Sequence, residues 1–191
     1  MKNNTHSDSK KGEILKAAIR LFSQKGIDGT SVKEIGIEAG VTDAALYKHF
    51  STKNELAVEV FSYYSGFYTQ LIDFHASQKS LSFAKKLESF IQDIIERMCE
   101  DHFGILLLNQ RHKVFMQIAQ QNRLPFTALS EFIAQGVEEG VLPQQDVRLT
   151  AVLFMGALLR IAVFIDNQVM TERDLNMAEI QQRFKGLIGL S

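Results

Sequence analysis

Apolar residues recur along this chain at steps of three and four, and no stretch shows the strict alternation of a half-buried strand. That spacing follows the 3.6-residue turn of an α-helix, and only two prolines interrupt it, so the fold is expected to be all-α. Ile14, Leu15, Ala18, Leu21 and Phe22 form one stripe, which Gly26 and Gly29 bring to an end. Ser31 with Glu34 reads as a capping box and predicts a helix over about residues 32–39, with Val32, Ile35 and Ala39 on one face. Gly40 then supplies a left-handed turn that a Cβ would resist. Thr42 is placed to cap a third helix, with Val41 and Leu46 as a hydrophobic staple. Thr52 with Glu55 is a second capping box and starts a long helix to about residue 76, so three short helices precede one long connector. Leu87, Phe90, Ile91, Ile94, Ile95 and Met98 mark a strongly amphipathic helix. Pro125 suits a first helical position, Gly140 closes the helix it opens, and Asp146 caps an apolar helix. Leu175, Ala178, Phe184, Leu187 and Ile188 outline the last one.

At 191 residues and 46% hydrophobic, the chain can hold one compact core or a small domain joined to a larger one. A single cysteine, Cys99, excludes an intramolecular disulfide framework, and the first ten residues lack the apolar run of a secretory signal, so a cytoplasmic protein is expected. The stretch "AVLFMGALLRIAVFI" over residues 151–165 is broken by Arg160 and falls short of the roughly 20 residues that span a bilayer. It is expected to be a buried helix, with no membrane as partner. Residues 1–54 hold nine Lys/Arg against six Asp/Glu, whereas residues 55–191 hold twelve against sixteen. The local positive excess hints that the first part meets a polyanion.

The helix after Gly40 carries the most informative pattern. A 100° step per residue puts Asp43, Ala44, Tyr47 and Lys48 on one outward sector while Leu46 and Phe50 point back to the preceding helices. Two helices joined through Gly40 make a helix-turn-helix, whose second helix fits the DNA major groove. Small alanines at its tip allow close approach of the backbone. Lys53 is a cation in the first turn of a helix, where it opposes the dipole at a cost of a few tenths of a kcal/mol. A phosphate at that helix start would reverse the penalty. Each residue also has a structural reading: Tyr47 as a half-buried core tyrosine, His49 as a structural histidine, Lys48 and Lys53 as solvated cations. Their joint spacing after the glycine turn favours DNA.

The segment "TSVKEIGIEAGVTDAALYKHFSTKNEL", residues 30–56, resembles the DNA-binding segment of the TetR family of bacterial transcription regulators. The resemblance rests on Gly40, Tyr47, the pair His49 and Phe50, and Lys53, and covers about the first 60 residues. "EEGVLPQQD", residues 138–146, is similar to a looser family feature before the penultimate helix. The resemblance implies phosphate contacts from Ser31, Lys33, Tyr47, His49 and Lys53, and base-edge contacts from Asp43, Ala44, Ala45 and Lys48. Asp43 could accept from a cytosine amino group, Lys48 donate to guanine, and the alanines touch thymine methyls. It further implies an N-terminal three-helix helix-turn-helix DNA-binding domain over residues 1–54, the first ten without fixed structure. A C-terminal helical ligand-binding and dimerisation domain over residues 55–191 would follow. One departure is Gly36, where the family usually has alanine; it is expected to loosen its helix by up to about 1 kcal/mol.

The family's dimer, a four-helix bundle of the last two helices from each copy, is implied for this chain too. Small residues support it independently: Ala151, Gly156, Ala157 and Ala162 permit close helix approach, with Leu158, Phe184 and Leu187 completing the expected interface. The alternative is a central core helix. Tyr64, Phe67, Phe90, Phe103, Phe115 and Phe126 are candidates to line a cavity for an apolar effector, although aromatics at helical spacing are more often plain core. The family resemblance is what implies the cavity, and with it release of DNA by the effector. Cys99 and His102 are half of a metal site without a second half, so no metal is expected. The run Arg111, His112, Lys113 suits an anionic effector or a solvated turn. No cofactor, nucleophile elbow, phosphate loop or paired-carboxylate site is legible, and no catalytic residue is expected. The expected function is a ligand-responsive regulator, a repressor acting as a homodimer on a pseudo-palindromic operator. The rivals are an activator or an effector-independent regulator of the same fold, a helical enzyme with an apolar pocket, and a helical adaptor that binds protein.

Overall fold

The computed structural model describes residues 4–190, with side chains described from Lys10 onward except at 119–121. The described residues are helical or looped, with no strand among them. The helices are α1 (Asn4–Lys25), α2 (Val32–Glu38), α3 (Asp43–His49), α4 (Lys53–Ala76), α5 (Phe83–Glu100), α6 (Phe103–Leu108), α7 (Lys113–Gln121), α8 (Pro125–Glu138), α9 (Val147–Asp166) and α10 (Met177–Leu187). The all-α expectation holds.

Most boundaries fall where the local chemistry sets them. The Ser31 hydroxyl accepts from the Glu34 N–H at 3.2 Å while the Glu34 carboxylate accepts from the Ser31 N–H at 2.8 Å, which closes the first capping box. Thr42 caps α3 through the Ala45 N–H, and Asp146 caps α9 through the N–H groups of Arg148 and Leu149. At α4 the Thr52 hydroxyl accepts from Glu55, but the Glu55 carboxylate reaches back to the N–H of Ser51, one residue further than a standard box. Gly40 sits at φ +64°, and the Gly40 and Val41 N–H groups bond to the carbonyls of Ile37 and Gly36, which makes the exit of α2 a Schellman turn.

Some readings change. The first helix is not short: α1 begins at Asn4, so from there to residue 10 the chain is helical where no fixed structure was expected, residues 1–3 lying outside the described residues. Helices α6 and α7 went unmarked in the sequence, because six and nine residues carry too little periodicity to be told from a loop with apolar content.

The chain divides into two compact units, residues 1–64 with 106–121, and residues 65–105 with 122–191. The division falls inside α4 and returns α7 to the first unit, whereas a boundary near residue 54 was expected from the extent of the helix-turn-helix. In the first unit Ile14, Ala18 and Phe22 of α1 pack with Ile35, Leu46, Phe50, Leu56 and Ala57, all at most 1% exposed. Phe115 stacks on Phe61 with ring centroids 4.2 Å apart, and the Gln110 amide donates to the Ser23 carbonyl at 2.9 Å.

In the second unit, α5, α8, α9 and α10 share a core threaded by aromatic rings: Phe83 on Phe132, Phe132 on Phe90, Phe90 on Phe154, and Phe154 on Phe184. The stripe of α5 read from the sequence is fully buried. Arg123, just ahead of α8, holds both oxygens of Asp73 on α4 at 2.7 and 2.9 Å, and it also bonds Glu131. Helix α9 behaves otherwise than expected. By length and composition it is apolar enough to cross a membrane, yet only 28% of its most hydropathic window is buried. Ala151, Phe154, Leu158 and Ala162 face the core, while Leu149, Val152 and Leu153 lie 56%, 53% and 53% exposed. The expectation of a buried helix therefore holds for one face only, because the 3.6-residue turn gives an apolar helix two sides and the chain covers one of them.

Candidate nucleic-acid interface

Helix α3 has seven residues, about 10 Å of length at ~1.5 Å per residue, and projects from the turn at Gly40. Leu46 and Phe50 are 0% and 1% exposed and fix its inner face, as the periodicity required. The outer face carries Asp43, Ala44, Tyr47 and Lys48, all exposed, with Ala45 at its edge. The Tyr47 ring is 53% exposed, so the reading of it as a core tyrosine fails. His49 is half-buried, its ring tilted toward that of Phe50.

The cations of the first unit fall into two groups. Lys11 pairs with Glu59 at 2.6 Å, Arg20 with Glu38 at 3.0 Å, and Lys25 with Glu34 at 2.8 Å. Lys11 also lies 5.5 Å from the centre of the Phe50 ring. Lys33 and Lys48 have no ion-pair or hydrogen-bond partner among the described residues, and both are exposed. An exposed lysine without a protein partner is a group that a phosphate backbone can use.

Lys53 corrects the sequence reading. Its ammonium donates to the carbonyls of Ile27 and Thr30, both at 2.6 Å, and the side chain is partly buried. The cation at the start of α4 is thus offset by the loop between α1 and α2 and needs no phosphate to explain it. Charge-assisted hydrogen bonds contribute about 1.5–3 kcal/mol each, more than the 0.3–1 kcal/mol of an unfavourable dipole contact, so the two carbonyls win. Ser31 is likewise committed: its hydroxyl donates to Glu34 at 2.8 Å besides accepting the capping bond. Both residues are engaged in bonds within the first unit. The sequence held no signal for the Lys53 contact, since its partners are main-chain carbonyls more than twenty residues away.

Glu34 is the electrostatic centre of this arrangement. The Lys25 ammonium first, then the Ser31 N–H and hydroxyl, stabilise its carboxylate and pull its pKa from 4.5 to about 2.

The other expected sites scatter. Phe90 is 0% exposed and Phe115 3%, each stacked with a neighbouring ring of its own unit. Tyr64 is buried at 8% exposure beside Tyr63 in the first unit. Phe67, Phe103 and Phe126 are half-buried in the second, Phe67 beneath the Arg97 guanidinium and Phe126 beneath that of Arg148. Of the expected interface residues, Ala151, Leu158, Ala162 and Phe184 are at most 5% exposed within the single chain, because they belong to the inner stripe. Gly156 is exposed, and Ala157 and Leu187 are half-exposed. Burial, with Glu172 and Glu96, raises the Cys99 thiol, and His102 bonds Asp166 at 3.2 Å. Among the described residues no cluster suited to a metal ion occurs.

A capped two-helix reading head with an exposed polar sector, followed by a larger helical part, defines a helix-turn-helix DNA-binding regulator. Residues 14–60 match the model of the bacterial regulatory proteins of the tetR family. Over 59 residues the chain is 41% identical to the HTH-type transcriptional regulator YerO of Bacillus subtilis, 31% of this chain and 20% of that one. It is 24% identical over 153 residues to the HTH-type transcriptional repressor KstR2 of Mycobacterium tuberculosis, 74% of each. It thus spans a fifth of one relative and about three quarters of the other. Two solved structures share the fold: AibR in complex with isovaleryl coenzyme A and operator DNA (TM-score 0.71, 20% identity, 94% of this chain and 98% of that one), and FadR from Bacillus subtilis in complex with stearoyl-CoA (TM-score 0.68, 19% identity, 93% and 97%). In these comparisons the chain is similar to transcriptional regulators of the tetR family.

Proposed function

We propose that this protein is a homodimeric, cytoplasmic repressor that binds a pseudo-palindromic operator through α3 and is released by a small effector with an apolar part. The observation that carries the DNA-binding role is the free outer face of α3 and α2: Lys33, Tyr47 and Lys48 exposed and without protein partners among the described residues, beside cations that are paired. In this reading Lys33, Tyr47 and His49 hold phosphates, and Asp43, Ala44, Ala45 and Lys48 meet base edges. Ser31 and Lys53 hold the supporting turns.

The exposed apolar face of α9 supports dimerisation, since a second copy laid against Leu149, Val152, Leu153 and Gly156 would remove it from water. Two heads on a two-fold axis would meet half-sites about 34 Å apart or a multiple of that. The acyl-CoA complexes of AibR and FadR give the class of compound to try first. The effector would act by binding more tightly to the form of the dimer that does not fit the operator. Regulation rather than catalysis is also what the relatives' names describe.

Titration of the full chain against duplex DNA from its own upstream region, at several salt concentrations, tests the reading. Affinity should fall steeply with salt, and isovaleryl-CoA or stearoyl-CoA should release the duplex. Binding that ignores salt, or turnover of an acyl compound without retardation of any duplex, would overturn it.

A further inference from the structure

At Gly36 the backbone of α2 comes close to the turn into α3 and to its first residue. Gly36 is buried, and a Cβ on it would lie 3.0 Å from the Val41 carbonyl oxygen and 3.3 Å from Oδ1 of Asp43. Both distances are tighter than ordinary carbon–oxygen contact. The Gly36 carbonyl also accepts the Val41 N–H at 2.9 Å, in the turn that joins the two helices. A side chain at position 36 would therefore push on the turn to which its own carbonyl is bonded. Glycine has lower helix propensity than alanine, and what it accommodates at this position is the close approach of the turn and of Asp43.

We propose that Gly36 is a specificity-determining position, whose missing side chain lets the Asp43 carboxylate sit against α2 and so sets where that carboxylate meets a base edge. The inference rests on Asp43 being a base reader, as the proposed function has it. Asp43 is the first residue of α3, and its Oδ1 lies 3.3 Å from where a Gly36 Cβ would stand. Gly36 acts on it by position alone and touches no DNA. With alanine at position 36 the Val41 carbonyl, in the turn held by the 2.9 Å bond, and the Asp43 carboxylate must each give way by a few tenths of an ångström. A shift of a few tenths of an ångström is enough to spoil a hydrogen bond that prefers a narrow distance and an angle above ~150°. Lys33 and Tyr47 make no part of this contact, so the sequence-independent grip on phosphates is untouched.

The test uses the full chain and a pool of duplexes randomised across the operator, with selection and sequencing for wild type, Gly36→Ala, Asp43→Ala and the double variant. Asp43→Ala and Gly36→Ala should each flatten preference at the same base position, by roughly fivefold or more, as expected for one base-edge contact. The double variant should lose no more than Asp43→Ala alone, preference at the position read by Lys48 should stay, and the dependence of affinity on salt should match wild type. Gly36→Ala with the wild-type preference, while Asp43→Ala flattens it, overturns the inference and leaves the reading head intact. Asp43→Ala with unchanged preference removes the base-reading role and the inference together, while salt-dependent binding would still uphold the interface. If Gly36→Ala folds poorly, a crystal structure of wild type with a selected duplex decides instead. Asp43 held against Gly36 while bonded to a base supports the inference, and Asp43 swung away from Gly36 sinks it.

Discussion

At the scale of single residues, Lys53 and Glu34 show how the helix-turn-helix is held in shape by charges bonded within it. Replacing Lys53 by Met leaves the carbonyls of Ile27 and Thr30 without their charged donor. The first unit should then lose about 1–3 kcal/mol in urea denaturation. Were Lys53 a phosphate contact instead, stability would hold and the slope of log affinity against log salt would fall by about one. Glu34 makes a pH prediction. Its folded pKa, about 2, lies below its ordinary value of 4.5. A depressed carboxylate stabilises the fold fully above the unfolded pKa, and this contribution is lost as pH falls through the folded one. Acid melts should therefore show a loss of stability between about pH 4.5 and pH 2 that Glu34→Gln makes smaller, with the capping bond to the Ser31 hydroxyl still present in the variant.

At the scale of elements, caps were legible and packing partners were not. Ser31, Thr42 and Asp146 each begin a helix because a short oxygen-bearing side chain satisfies N–H groups within three residues, and such a pattern is visible in any sequence. Gly40 and Gly140, at φ +64° and +71°, end helices for an equally local reason. Gly136 looks like an ordinary helical glycine in the sequence, but a Cβ there would fall 2.6 Å from the Phe83 ring and 2.8 Å from Leu142. Gly136→Ala should accordingly overpack the second unit and cost about 1–3 kcal/mol in spite of its better helix propensity. A thermal melt of the variant above that of wild type would refute this account of the packing.

At the scale of the whole molecule, the open question is what covers α9. Its inner stripe is consumed by the core, and its outer stripe exposes Leu149, Val152 and Leu153. Paired charges at the centre of that stripe, Val152→Glu with Leu153→Glu, should give monomers by light scattering and weaken operator binding, since a single head loses its linked partner. The control is Leu158→Ala: buried at 4% exposure, it should lower stability by about 2–5 kcal/mol while the folded fraction remains dimeric.

The sequence by itself determined the helical class, most caps and turns, the inner and outer faces of α3, and the head that the family resemblance named. Each of these follows from residues within about one or two helical turns of one another, where spacing along the chain is also distance in space. Only the tertiary structure decided that Lys53 serves two distant carbonyls, that Phe90 and Phe115 are core, and that Ala151, Leu158, Ala162 and Phe184 face inward. It also decided that Gly36 lies against Asp43. In each case the deciding neighbour belongs to another turn or another helix, and a composition of small or aromatic residues is the same whether their stripe faces a core, a cavity or a second copy.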